Sequence, residues 1–547
     1  MRRTMMLVMW VMLVSASAFA GDWPQWHGPN RDGTVLDSPP LVEEFPKEGP
    51  KKLWESEAIP GGEYNGGYAQ PVVAEGKVFV FVHNRFQVPI AQRLLTKGAL
   101  TQLGWEAGMP EDLVKAVEEA RTSEARAKLK DYNEINKWAD AWIKENEKPD
   151  WRKFRYPVKQ RLLAGQSALA PEVCRKLEAI VDKEFASQTE LDAWMKPHGF
   201  DDDAVKAILK KVPTTERDAT DLLYCLDSAT GKTLWKKEMP GNRWTYATGT
   251  STPAVSAGRC YFLSSSAVAF CLNAADGNVI WESKPLWGTG NIGCTASSIL
   301  LVKGKAIVGT NAGFHALDAG TGEVLWKATD EKDRPLAANN VSSASVWNAG
   351  GKPYLLATSY VQAGKLYCLD LETGKTVWDV PVGISGCTPA VSADTMVFCS
   401  FAPEIGLTAY KLSNREPTKL WSVPFKDGFA CPVIYKGHVY VIGGANATYG
   451  DSGKGHALCI ELATGRTVWD ETVGPAELSS PLVADGKLIA QVGPWVYLIK
   501  ASPEKYQLLG KLDLHDYQGR WMSPVLADGR LFVRTGKNVV CYDLRKQ

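Results

Sequence analysis

Two stretches of this 547-residue chain place an arginine directly before a tryptophan: Asn242-Arg243-Trp244 and His515-Asp516-Tyr517-Gln518-Gly519-Arg520-Trp521. A guanidinium meets an anionic group with paired N–H donors, and an indole stacks on a planar or sugar-like one. Tyr64, Asn65, Asn291, Asn339, Asn340 and Glu477 add hydrogen-bonding side chains in comparable loops. The chemistry these types support is recognition. Their alternative role is to cap strands and seat neighbouring segments.

Reactive chemistry finds less support. Cys-x-x-Cys-His, a vicinal Cys-Cys pair, Gly-x-Ser-x-Gly, His-Glu-x-x-His and a phosphate-cradling loop are all missing from the sequence. The 7 histidines show no metal-ligand spacing. His438 falls in a hairpin turn and His315 in a strand, so both have structural explanations. Asp201 to Asp203 could suggest a metal, but acidic residues opening a helix more often satisfy its free amides. No catalytic residue, metal ligand or cofactor is therefore assigned. A net charge of +1 gives no electrostatic case for nucleic acid or an anionic membrane.

The elements that must position the loops follow from a repeat. Leu223 to Trp235 reads as a strand, an Asp-x-x-Thr-Gly turn and a returning strand ending in Trp. It recurs at Phe270 to Trp281, Phe314 to Trp326, Tyr367 to Trp378 and Leu458 to Trp469, with a degraded copy ending at Trp421. Upstream of each lies a second hairpin, as in Pro71 to Val80 and Pro253 to Tyr261. Two hairpins make one four-stranded propeller blade. First strands begin near Pro71, Pro253, Ala296, Ser343, Pro389, Pro432, Pro481 and Pro524, which predicts eight blades. The seventh outer strand, around Leu508 to Leu512, lacks Trp, and the chain stops before the eighth. Lys51-Lys52-Leu53-Trp54-Glu55 has the missing pattern, so an N-terminal strand is expected to close the ring and remove its open edges. Residues 51–83 and 221–547 then give about 45 residues per blade.

Five of the 11 cysteines, Cys225, Cys271, Cys368, Cys459 and Cys541, share one slot that Ala316 and Ala409 fill elsewhere. Such alternation marks a small buried packing site, and equivalent positions in separate blades lie beyond disulfide reach. A pair within one blade, such as Cys260 with Cys271, stays open. Between residues 84 and 220 the apolar period becomes helical. Pro110 with Glu111 and Asp112, Pro171, and Asp201 each read as a helix start, so a helical insertion interrupts the first blade. It is expected over the face bearing the inter-blade loops. At the other end, Arg2 and Arg3, an apolar run from Met5 to Val14 and Ala18-Phe19-Ala20 read as a signal peptide over residues 1–20, cleaved before Gly21. Residues 21–50 form an N-terminal arm.

The Asp-x-x-Thr-Gly-Lys-x-x-Trp element resembles the tryptophan-docking motif of the PQQ-like (pyrroloquinoline quinone-like) β-propeller family, which includes quinoprotein alcohol dehydrogenases and BamB-type assembly factors. Trp23-Pro24-Gln25-Trp26-His27-Gly28-Pro29-Asn30-Arg31-Asp32-Gly33 is similar to the N-terminal signature of such proteins from planctomycete-type bacteria. The resemblance implies an all-β eight-bladed propeller with Trp54, Trp235, Trp281, Trp326, Trp378, Trp421 and Trp469 docking between blades. The functional reading is a monomeric binding or scaffolding propeller without a membrane span, periplasmic or otherwise exported, taking a protein, small-molecule or glycan ligand at the loop face. A dehydrogenase using PQQ and calcium is the first alternative, and an enzyme acting on an extracellular polymer the second.

Overall fold

The structure, a computed structural model, describes residues 21–547 except 63–64, 246–250, 288–296, 331, 335, 337–341, 359–363, 403, 445–453, 475–479 and 516–521. It divides into two compact units: one comprises the chain up to Arg85 together with Ala219–Gln547, the other Phe86–Asp218.

Among the described residues the first unit is built on eight sheets of four antiparallel strands each, the seventh extended by a parallel fifth strand. The first contains Val72–Ala74, Lys77–Pro89, Thr215–Asp227 and Thr233–Pro240. Sheets two to seven follow in sequence at 254–282, 300–327, 345–381, 390–423, 433–472 and 482–513. The eighth joins Val525–Ala527, Arg530–Arg534 and Val539–Asp543 to Lys51–Glu55, which pairs antiparallel with Val539–Asp543.

Local chemistry explains the hairpins. Asp227 Oδ1 accepts from the Ala229 and Thr230 amides and the Thr230 hydroxyl, pinning the turn that Gly231 completes at φ +73°. One extra residue is bulged out before each docking tryptophan, as Leu234 is between the Cys225–Trp235 and Leu226–Thr233 pairs. That is why Leu234, Ile280, Leu325, Val377 and Leu420 are exposed while the following indoles are largely covered.

The tryptophans then join sheet to sheet. Each indole N–H donates to a carbonyl in the next sheet: Trp54 to Ser228 (3.0 Å), Trp235 to Ala274 (3.3 Å), Trp281 to Ala319 (3.1 Å) and Trp326 to Leu371 (3.0 Å). Trp378 to Ser413 (3.0 Å), Trp421 to Leu462 (2.8 Å) and Trp469 to Ser502 (2.9 Å) continue the series. Turn glycines lie flat on the rings. A Cβ on Gly231 would fall 2.4 Å from Trp54, and one on Gly374 2.4 Å from Trp326. The residue paired with each tryptophan is Cys or Ala, from Cys541 opposite Trp54 to Cys459 opposite Trp469. A small side chain there leaves room for the indole. In the seventh sheet Gly510 takes the tryptophan's place and the larger Leu498 faces it.

The described cysteines are free and buried. Cys260 is paired with Leu272 and Cys271 with Tyr261, so the two point to opposite faces of the second sheet and do not form the intra-blade bridge left open above.

Residues 86–218 form helices with their own core, including Leu113, Val117, Phe154, Leu162, Leu177 and Ile208. Glu111–Arg121 starts after Pro110 and Pro171–Glu178 has Pro at its first turn. Asp201 Oδ1 caps Asp202–Leu209 by accepting the Ala204 amide at 2.7 Å. Asp201 therefore serves as a helix cap.

Candidate functional site

The inner strands share a feature that sequence reading passed over. Two residues before each stands Gln70, Thr252, Ser298, Ser343, Thr388, Cys431, Ser480 or Ser523. Backbone N–H groups there donate to the side chain of the next sheet's member: Gln70 to Thr252 Oγ1 (3.0 Å), Thr252 to Ser298 Oγ (3.1 Å) and Ser298 to Ser343 Oγ (2.9 Å). Thr388 donates to Cys431 Sγ (3.2 Å) and Cys431 to Ser480 Oγ (3.4 Å). Gln70 Nε2 reaches Pro524 O in the eighth sheet at 3.1 Å. Buried amides that no strand partner reaches are satisfied by these side chains.

The arm lies against the same strands. Trp23 exchanges backbone bonds with Val73, Pro24 O accepts the Val255 amide, and Trp26 Nε1 donates to Thr388 Oγ1. Arg31 donates to Ile299 O (2.9 Å) and Ser298 O (3.3 Å), and Thr34–Val35 pairs in parallel with Val483–Ala484. Gln70 Oε1 accepts from both Trp23 Nε1 and the His27 amide. Burial lowers the His27 imidazole to about 4 and the Arg31 guanidinium to about 9.

Of the recognition residues, Tyr64, Asn291, Asn339, Asn340, Glu477, Tyr517, Arg520 and Trp521 lie outside the described residues. Asn65, Arg243 and Trp244 are described. Trp244 is 57% exposed, with the Arg243 guanidinium 5.4 Å from its ring centroid. The loop is anchored from below: the Asn242 amide donates to Ser265 Oγ (2.8 Å), Thr245 Oγ1 donates to Ser265 O (3.2 Å), and the Trp244 amide donates to Asn242 Oδ1 (3.0 Å). Asn65 Oδ1 accepts the Arg85 amide at 2.8 Å, and its amide group donates to Asn84 Oδ1 at 3.0 Å.

A buried pair joins the two loops. His83 Nδ1 and Asp221 Oδ1 are 2.7 Å apart with both side chains fully buried. Asp221 Oδ2 accepts the Ser265 amide at 2.7 Å, and His83 exchanges backbone bonds with Gly66, beside Asn65. A carboxylate only accepts, so Nδ1 carries a hydrogen, and Nε2 has no hydrogen-bond partner among the described residues. The path from Trp244 to Asn65 thus runs Asn242, Ser265, Asp221, His83, Gly66. His83 and Asp221 were missed because each looks like the polar end of an apolar strand. The available signal was a histidine in Lys77–Pro89 and an aspartate in Thr215–Asp227, strands otherwise apolar toward the core.

A quinone held with calcium needs a set of carboxylate and amide donors. Around the inner strands the described donors are mainly hydroxyls, one thiol and the Gln70 amide, and no group of three or more His, Cys, Asp or Glu could hold a metal among the described residues.

The fold and its docking tryptophans resemble those of PQQ-type β-propeller repeats. Residues 219–386 match the family described as outer membrane protein assembly factor BamB. It is 24% identical to tetrathionate hydrolase of Acidithiobacillus ferrooxidans, over 51% of this chain and 55% of that protein. It is 26% identical to BamB of Moranella endobia, over 49% of this chain and 64% of that one. The chain therefore spans less than two thirds of the length of either relative. Among solved structures it is similar to a quinohemoprotein alcohol dehydrogenase from Comamonas testosteroni, with a TM-score of 0.47, 13% identity, and coverage of 60% of this chain and 72% of that one. No described helix is long and apolar enough to cross a membrane.

Proposed function

We propose that this chain is an exported, non-catalytic binding or scaffolding propeller of the cell envelope, with its eight sheets arranged as a ring and its partner engaged at the face bearing the inter-blade loops. The ring reading is supported by the series of indole bonds from sheet to sheet and by the pairing of Lys51–Glu55 with the last strand of the chain. The BamB match supports a role in protein interaction. The arm begins at the hairpin-turn end of the inner strands, where Gly21 O accepts the Asp528 amide, and rises to Thr388. A ligand then reaches the centre from the loop end.

The observation that carries the reading is the buried His83–Asp221 link. It holds an exposed Trp244–Arg243 pair on a rigid base, and a rigid aromatic anchor gives affinity at little ordering cost. The test is a photo-crosslinking amino acid at position 244, with position 420 on an outer strand as control, followed by calorimetry with the captured partner. A specific adduct at 244, and a Kd raised about 30-fold by Trp244→Ala, is expected, since loss of a true anchor costs about 2 kcal/mol. Adducts at both positions, or an unchanged Kd with lowered stability, would assign Trp244 to packing alone. Export is checked by N-terminal sequencing, which should begin at Gly21.

A further inference from the structure

Three cysteines lie outside the docking slots and close together. Cys387, Cys399 and Cys431 are each at most 2% exposed. Cys387 precedes the first strand of the fifth sheet, Cys399 ends its second, and Cys431 precedes the first strand of the sixth. Thr388 is flanked by two of the sulfurs: its N–H donates to Cys431 Sγ at 3.2 Å, and Cys387 Sγ donates to its carbonyl at 3.2 Å. The Cys387 thiol is in side-chain contact with both Cys431 and Cys399.

Cys431 also occupies a position where the neighbouring sheets use a hydroxyl, as at Ser480, Ser343 and Thr252. An oxygen accepts the same amide bond there, as Ser480 Oγ does from the Cys431 amide. Sulfur is not needed for that bond. What it adds is exchange chemistry with the thiol beside it.

We propose that Cys387 and Cys431 are joined by a disulfide in the mature protein, cross-linking the fifth and sixth sheets and leaving Cys399 as a thiol. The oxidising setting rests on the export reading above. One cysteine thiolate attacks an external disulfide, forming a mixed disulfide and releasing one thiol. The second cysteine thiolate then attacks the mixed disulfide, forming the Cys387–Cys431 bond and releasing the other thiol. The protein loses two hydrogens, and the external disulfide is reduced to two thiols. Exchange precedes closure of the two sheets. In the finished fold the contact with Cys387 and burial hold the Cys431 thiol far above its ordinary range, and burial does the same to Cys387.

The test refolds the full chain in a buffer of oxidised and reduced glutathione, quenches it in acid, alkylates it under denaturing conditions without reductant and maps the peptides. The expected result is one linked Cys387–Cys431 peptide, with nine of the 11 cysteines alkylated. Reductant should lower the denaturation midpoint of the natural chain and leave that of Cys431→Ser unchanged, a variant that keeps the acceptor for the Thr388 amide. Alkylation of every cysteine, or a link to Cys399, overturns the proposal. If the chain does not refold, the same map on secreted protein decides. Because refolding in glutathione does not depend on secretion, its outcome is separate from the N-terminal sequencing that tests export.

Discussion

Phe45 stands in for a tryptophan that Gly510 cannot supply. In seven sheets an indole fills the slot opposite a small residue. In the seventh sheet a Cβ on Gly510 would lie 2.5 Å from the Phe45 Cβ, and the Phe45 amide donates to Leu509 O at 2.9 Å. Nearby, the Val42 amide donates to Leu544 O at 2.8 Å. Leu544 holds the place of Ser228, the carbonyl that accepts the Trp54 indole. The arm thus completes the one interface that lacks its own tryptophan.

Phe45→Ala should therefore destabilise the first unit by about 3 kcal/mol, the usual loss for a buried phenylalanine. Urea denaturation followed by tryptophan fluorescence measures it. An unchanged midpoint would mean that the arm lies on the seventh sheet without supporting it.

Two glycines at positive φ separate backbone strain from docking. Gly76 (φ +73°) has open space where a Cβ would be, whereas Gly231 (φ +73°) faces the Trp54 ring. Gly76→Ala should cost about 1 kcal/mol, the left-handed backbone penalty. Gly231→Ala should cost at least about 2 kcal/mol more by displacing the indole. Equal losses would show that the Trp54 docking carries no packing energy.

Stability should fall with acid before the carboxylates titrate. Burial holds the His27 and His315 imidazoles at about 4, against an ordinary 6.5. A base whose folded pKa is lowered takes up its proton first in the unfolded chain, so folding weakens as pH drops from about 6.5 to about 4, by about 3 kcal/mol for each fully expressed shift. Above 6.5 both rings are neutral in both states and contribute no slope. Denaturation midpoints measured across pH 4 to 7 should decline toward acid, and His315→Phe should flatten part of that decline. A flat profile in the natural chain would refute the assignment.

Titration with pyrroloquinoline quinone and calcium, read by tryptophan quenching and dye-linked alcohol oxidation, should give neither saturable binding at micromolar quinone nor turnover. A stoichiometric, active complex would replace the scaffolding proposal with a dehydrogenase.

What could be read from the sequence is what neighbours along the chain decide. Asp227, Thr230, Gly231 and Trp235 act within one hairpin, through a side chain that bonds amides two and three residues on and a glycine that accepts positive φ. Such short-range chemistry repeats at fixed spacing, so the strands, their turns and the strand at Lys51–Glu55 were legible. Pro110, Pro171 and Asp201 act equally locally, and mark helix starts for the same reason. The pairings that make the site join residues far apart. His83 and Asp221 are separated by 138 positions, Trp26 and Thr388 by 362, and neither residue of either pair carries a local pattern that names the other. A single glutamine, serine, threonine or cysteine before each inner strand looks like ordinary turn chemistry until the sheets stand side by side and five of those amides find the next sheet's side chain. Phe45 likewise reads as one aromatic in a loop, and only packing against Gly510 gives it the place of an indole. Hydrogen bonding and packing across sheets depend on distance in space, which the fold creates and the order of residues does not display.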